Sequence, residues 1–241
     1  MTVSSARSRI RRALSAIVPS IDPAHFGNSL AGKSPAEIFP AIYRSRIWGG
    51  RLSRSYHSGP GSRDAAVVGP YVAAVSQYLI ELGRPSIVDL GCGDFHVGCK
   101  LLPYAATCVA CDIVPDLIAF NDRKYRAANL QFRIVDAIDD ELPPADVIVI
   151  RQVLQHLSNA QVAKISSKLK RYNAAIVTEH LPAGADFTPN KDQVAGPHTR
   201  LGLGSGVVLT APPFNLSPRN VRHLCAVGQH GGIISTIAYE F

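Results

Sequence analysis

No apolar run in this 241-residue chain approaches the roughly 20 residues that a membrane-spanning helix needs. The longest candidates, Ile87–Leu90 and 147–150, are strand-sized. A soluble protein with no membrane partner is therefore expected. Cysteine is scarce and odd in number: Cys92, Cys99, Cys108, Cys111 and Cys225. A secreted disulfide scaffold would be shorter and richer in cysteine, so reduced thiols in a cytoplasmic protein are expected. Cys108 and Cys111 form a CxxC, but it runs through a predicted strand and lacks a second pair or a histidine at finger spacing. No metal site is expected there. No internal repeat is present.

Acidic residues are almost missing from the N-terminal quarter. Residues 1–63 hold ten Lys/Arg against only Asp22 and Glu37, a balance of +8, while the remainder carries −1. An evenly basic chain would suggest nucleic-acid binding throughout. This distribution suggests a basic arm or lid over a nearly neutral domain. No acid precedes Asp22, and Arg7, Arg9, Arg11 and Arg12 lead into Ala13, Leu14, Ala16, Ile17 and Val18. A transit peptide and an exposed N-terminal helix share that pattern. We read the chain as cytoplasmic and keep import as the alternative.

What remains is globular in composition, 46% hydrophobic and 18% charged, with enough apolar material for a continuous core. The length suits one α/β domain with an appendage. Proline and glycine punctuate residues 1–63, and from Asp64 regular patterns begin. The expected division is an N-terminal extension and lid, 1–63, and a domain, 64–241. Val68, Val72, Val75, Leu79 and Leu82 recur at helical spacing before Gly83. Strands are expected at 86–90, 107–111, 130–135, 146–150, 174–178 and 233–239. Helices are expected at 96–102, 115–126 and 159–169. Such alternation, with nearly continuous apolar strands, predicts a doubly wound, mainly parallel seven-stranded Rossmann-like sheet. Ligands of such sheets bind outside the C-terminal strand ends.

The residues at those ends carry the functional signal. Gly91 and Gly93 follow the first strand and permit a sharp turn and close backbone approach to a ligand. Asp112 ends the second strand, where a carboxylate can accept hydrogen bonds from a ribose diol. Asp136 follows the third and is placed to accept from an adenine amino group, with Ile113 and Ala137 as apolar walls. A dinucleotide fingerprint would have a third glycine where His96 stands.

The segments VDLGCGD (88–94), ACDIVPDLI (110–118), VDAID (135–139) and DVIVIRQVLQHLS (146–158) together resemble the class I methyltransferases that use S-adenosyl-L-methionine (SAM). The resemblance covers about 65–241. It implies that Asp89, Gly91 and Gly93 line the methionine part of SAM, with Asp94 also in the cofactor site, that Asp112 holds the ribose and that Asp136 meets the adenine. One departure is Phe95, where a glycine is common.

The acceptor end is less marked. Glu179 and His180 are expected just after strand five, as acceptor-binding residues or as the base. His156 follows strand four and is a further candidate near substrate. Arg151 is placed to face the SAM carboxylate or a substrate anion. Tyr43, Trp48, Gly49-Gly50 and SGPGS (58–62, including Ser62) look like a lid over the cofactor. The loop 182–222, rich in glycine and proline, is expected to shape the acceptor pocket.

Three functions are weighed. The first is methyl transfer to a small molecule, on oxygen or nitrogen. The second is methylation of RNA or protein held by the basic arm. The third is SAM binding without catalysis.

Overall fold

The computed structural model describes residues 32–50, 55–184 and 186–241. The basic stretch at 7–18, together with Arg51 and Arg54, lies outside the described residues. Residues 33–241 make one compact unit.

Helix α1, Pro35–Ser45, opens with Pro35 in its first turn, and Glu37 Oε2 accepts from both the backbone N–H and the hydroxyl of Ser34, at 2.9 and 2.8 Å. Such reciprocal caps satisfy orphan helix donors. The helix buries Ile38, Ile42 and Tyr43. Helix α2, Ala65–Glu81, is capped by Asp64, whose carboxylate accepts from Ala66 N–H at 3.0 Å. It buries Val68, Tyr71, Val75, Tyr78 and Leu79 against one face of the sheet.

The sheet unfolds in chain order as β1 (Ile87–Leu90), β2 (Cys108–Asp112), helix α3 (Pro115–Lys124), β3 (Leu130–Ile134), β4 (Val147–Arg151), helix α4 (Asn159–Lys168), β5 (Ala174–Pro182), β6 (Asn220–Gln229) and β7 (Gly232–Glu240). The spatial order is β3-β2-β1-β4-β5-β7-β6. Strands β1 to β5 run parallel, and β7 is antiparallel to both of its neighbours. Apolar clusters cover both faces. Val88, Leu90, Ile148 and Ile150 face one, and Ile87, Val147, Val149 and Ile176 face the other. That two-sided burial explains the unbroken apolar run Val147–Ile150 in β4 and the apolar residues on either side of Asp89 in β1. The expected fold class is thus the observed one.

Three local expectations need correction. The helix expected at 96–102 is two 3-10 turns, Gly98–Lys100 and Leu102–Tyr104. Phe95 takes a left-handed φ of 54°, and Gly98 packs so close to Asp89 and Phe95 that no Cβ would fit. The chain is too tightly turned there for a regular helix. Strand β6 was not read from the sequence. It is an edge strand, largely exposed, whose apolar residues Leu224, Cys225, Ala226 and Val227 are consecutive, so no hydrophobic alternation marks it. Strand β5 runs on to Pro182, because β7 pairs along its whole length. Glu179 and His180 therefore lie inside β5 and not after it.

Glu179 is almost fully buried. One carboxyl oxygen accepts from Leu154 N–H at 3.1 Å and the other has no partner. Burial pushes this carboxyl up to about 8, against a smaller lowering by the Leu154 N–H and by Arg200. A carboxyl that holds its proton more tightly when folded weakens the fold as pH rises from its unfolded to its folded value. Wild type should therefore lose stability relative to Glu179→Gln between about pH 5 and 8. Urea midpoints of the two proteins across that range check this, and parallel pH profiles would contradict it.

Candidate active site

A cavity of about 380 Å³ opens at the C-terminal ends of β1, β2, β4 and β5. This is the side of a doubly wound sheet where ligands bind, and the volume lies within the roughly 300–1,000 Å³ of ligand pockets. Sheet order divides it. Residues after β1, β2 and β3 form one half. Residues after β4, from β5 and from the β6–β7 hairpin form the other.

In the first half the chain leaves β1 through Gly91 and Gly93, both in the left-handed region at φ 71° and 56°. A Cβ at Gly91 would strike Val153, and one at Gly93 would strike Ser58. Asp112 fastens this turn. Its two carboxylate oxygens accept from Gly93 N–H at 3.0 Å and Val114 N–H at 3.1 Å, and Asn121 donates to the Gly93 carbonyl at 2.6 Å. Burial raises the Asp112 carboxyl to about 6, partly offset by those N–H groups. Asp94 pairs with Arg63, and its N–H donates to Ser58 Oγ at 2.7 Å. Asp136 accepts from Ile138 N–H at 2.9 Å, and Ile113, Val135 and Ala137 line the wall beside it.

Asp89 differs from the other acids. It is only 7% exposed, it lines the cavity, and no donor among the described residues bonds to it. Burial lifts its carboxyl to about 7, with Arg151 lowering it and Asp112 raising it by smaller amounts. Arg151 itself points towards the roof. It donates to the Gly61 carbonyl at 3.1 Å and to Ser62 Oγ at 3.3 Å, with its guanidinium 5.1 Å from the Tyr71 ring centroid.

The roof is aromatic. Phe39, Tyr43 and Trp48 line the cavity, and the Trp48 ring lies 5.3 Å from Tyr43, edge-on, and 5.0 Å from His156. Aromatic pairs at such separations contribute about 0.5–1.5 kcal/mol each beyond area burial. Trp48 Nε1 donates to the Pro197 carbonyl at 3.3 Å, and the Tyr43 and Ser58 hydroxyls meet at 2.9 Å. Residues 58–62 thus join the roof to the glycine turn.

The second half holds Gln152, Gln155, His156, His180, Gln229 and His230. Burial drives His156 down to about 4, and it stays neutral. Glu179 does not line the cavity. Of the residues expected from sequence, Asp89, Gly91, Gly93, Asp94, Asp112, Ile113, Asp136, Ala137, Arg151, Trp48, Ser62, His156 and His180 do. Sequence reasoning missed Arg63, Asn121, the glutamines and Arg200. Gln152 and Gln155 stand inside the segment 146–158 and could have been found there. Gln229 and His230 had no signal, since β6 had none. Arg200 is fully buried from the 182–222 loop and donates to the Leu157 carbonyl at 2.6 Å and Asn159 Oδ1 at 2.7 Å.

A family model described as a methyltransferase domain matches residues 88–176, which supply β1 to β4 and the start of β5. An uncharacterized RNA methyltransferase of Chlamydia muridarum is 28% identical over 98 residues, covering 38% of this chain and 24% of that protein. This chain thus spans about a quarter of that relative's length. Among solved structures, human N-acetylserotonin methyltransferase in complex with SAM is similar at TM-score 0.54 and 16% identity, over 90% of this chain and 65% of that one. The methyltransferase domain of the bacterial CtHen1 is similar at TM-score 0.52 and 16% identity, over 71% and 98% of the two chains. The N-terminal domain of EvdMO1, in the presence of SAH and D-fucose, is similar at 0.51 and 14%, over 71% and 82%. These structural likenesses concern the fold. The segment 88–176 that matches the methyltransferase domain supplies the strands whose tips surround the cavity.

Proposed function

We propose that the chain methylates a small molecule and that the cavity takes SAM in its β1–β3 half. The observation that carries the reading is Asp89, a buried carboxyl facing a cavity with no donor of its own. Buried charges are stable only when paired. The ammonium group of SAM would supply that partner.

The other residues fit the nucleoside. Gly91 and Gly93 would let the backbone approach the methionine part, with Asp94 behind the turn. Asp112 has spare acceptor capacity for the ribose hydroxyls, since an ionised carboxylate offers about four lone-pair sites. Asp136 would accept from the adenine amino group between Ile113 and Ala137. Arg151 adds positive charge on the side of the SAM carboxylate. Tyr43, Trp48, Gly49, Gly50 and residues 58–62 would act as the lid, with Trp48 and Ser62 covering the cofactor. SAM supplies a methyl group on a positively charged sulfur. The chain's part is to orient the acceptor and exclude water.

The roof favours a small acceptor. Phe39, Tyr43, Trp48 and Pro197 cover the cavity, so a long polymer would have to displace them. Human N-acetylserotonin methyltransferase, similar in fold, is named for a small acceptor. The RNA methyltransferase relative supports a second reading, in which the basic residues before position 64 hold a polyanion. RNA binding that weakens steeply with salt would favour that reading.

Two outcomes follow for SAM binding by calorimetry. Asp112→Ala should weaken it by about 1–3 kcal/mol, the scale of hydrogen bonds to a charged group. Unchanged affinity would contradict the ribose assignment. For Asp89, only the ionised form attracts an ammonium, and its carboxyl sits near 7. Affinity should therefore rise as pH goes from about 6 to 8, and Asp89→Asn should both weaken binding and flatten that rise. A pH-independent wild type would contradict the Asp89 assignment.

A further inference from the structure

We infer that the acceptor is an uncharged, hydroxyl-bearing small molecule, methylated on oxygen with His180 taking the proton. The inference rests on the methyltransferase reading above and concerns the half of the cavity which that reading leaves to the acceptor.

Charge is the first argument. The charged side chains that line the cavity are Asp89, Asp94, Asp112, Asp136 and Arg151. All but Arg151 come from the β1–β3 half. Arg151 has both terminal nitrogens on the roof, at Gly61 and Ser62. Among the described residues, no lysine lines the cavity and no carboxylate lines its second half. An acceptor bearing a carboxylate or phosphate would lack a free cation there, and one bearing an ammonium would lack an anion. Buried charges without partners are strongly disfavoured. Amides are present instead, from Gln152, Gln155 and Gln229. An amide both donates and accepts, which suits hydroxyl groups.

The two histidines are then separated by their tautomers. A backbone carbonyl only accepts, so a ring nitrogen facing one must carry hydrogen. His156 Nδ1 lies 3.1 Å from the His198 carbonyl, so its Nε2 bears the lone pair, and the Gln155 amide donates to that lone pair at 3.3 Å. His156 is thus fully engaged and holds the wall. His180 Nε2 lies 2.9 Å from the Gln229 carbonyl and carries the hydrogen. Its Nδ1 lone pair accepts no hydrogen bond from the described chain. The His180 N–H also donates to Gln155 Oε1 at 3.2 Å, which fixes the strand beneath the ring. Burial lowers the His180 pKa, so the base form is the one present at neutral pH.

A hydroxyl needs such a base, because its oxygen loses a proton on methylation. The acceptor oxygen forms a bond to the methyl carbon while the carbon–sulfur bond breaks, its electron pair remaining on sulfur. The hydroxyl proton passes to His180 Nδ1. The products are a methyl ether, a neutral thioether and a protonated imidazole, which returns its proton to water.

The experiment uses the full chain, methyl-tritiated SAM and a cell extract divided by ion exchange into neutral, acidic, basic and RNA fractions. Label should enter the neutral fraction as a methyl ether. His180→Ala should reduce labelling about 100-fold or more, the lower range for loss of a general base. SAH affinity should be unchanged, and added imidazole should restore part of the rate, which a merely structural role would not allow. Should His180→Ala fail to fold, His180→Asn serves with the same readouts. Label in the acidic, basic or RNA fraction overturns the inference. So does label in no fraction while SAH still binds, or a His180 variant as active as wild type. Failure of wild type to bind SAH overturns instead the reading on which the inference rests.

Discussion

Asp89 stands near the end of β1, where the hydrophobic sheet meets the cavity, almost buried and without a hydrogen bond from the described residues. Its surroundings favour the neutral acid, and Arg151 opposes them only in part. A protein does not ordinarily leave such a group unsatisfied. The rest of the site reads as the means of delivering a cation to it. The glycine turn clears space above the carboxyl. Asp112 holds that turn from the next strand. The aromatic roof keeps water away and so strengthens the attraction.

Roof and floor are mechanically joined. Ser58 touches both Tyr43 and the Asp94 N–H, and Arg151 at the end of β4 grips Gly61 and Ser62. Trp48 binds the Pro197 carbonyl and packs on His156. A ligand that moves any of these moves its neighbours. The two halves of the cavity are thus linked through residues 58–62 and Trp48.

The sheet was legible because its central strands are buried on both faces and write their pattern as nearly continuous apolar runs. The β1–β3 half of the cavity was legible too, since parallel strands end in turns whose glycines and acids follow in sequence order. Strand β6 was not, because this exposed edge strand carries no apolar–polar alternation. The acceptor half inherits that blindness. Gln229 and His230 belong to the hairpin that β6 creates, and Arg200, behind the cavity wall, opens a short 3-10 turn, Arg200–Leu203, within the 182–222 loop. Glu179 and His180 were seen as neighbours after a strand. The longer β5 sends one beneath the sheet end and the other to the cavity wall. Sequence adjacency in a strand means opposite faces, which a reading that ended the strand at 178 could not use.

A crystal structure with SAH tests the account most directly. It should show the nucleoside in the β1–β3 half, its ammonium within hydrogen-bond distance of Asp89 and its ribose hydroxyls on Asp112. SAH bound elsewhere, or bound there with the Asp89 carboxyl still lacking a partner, would contradict it.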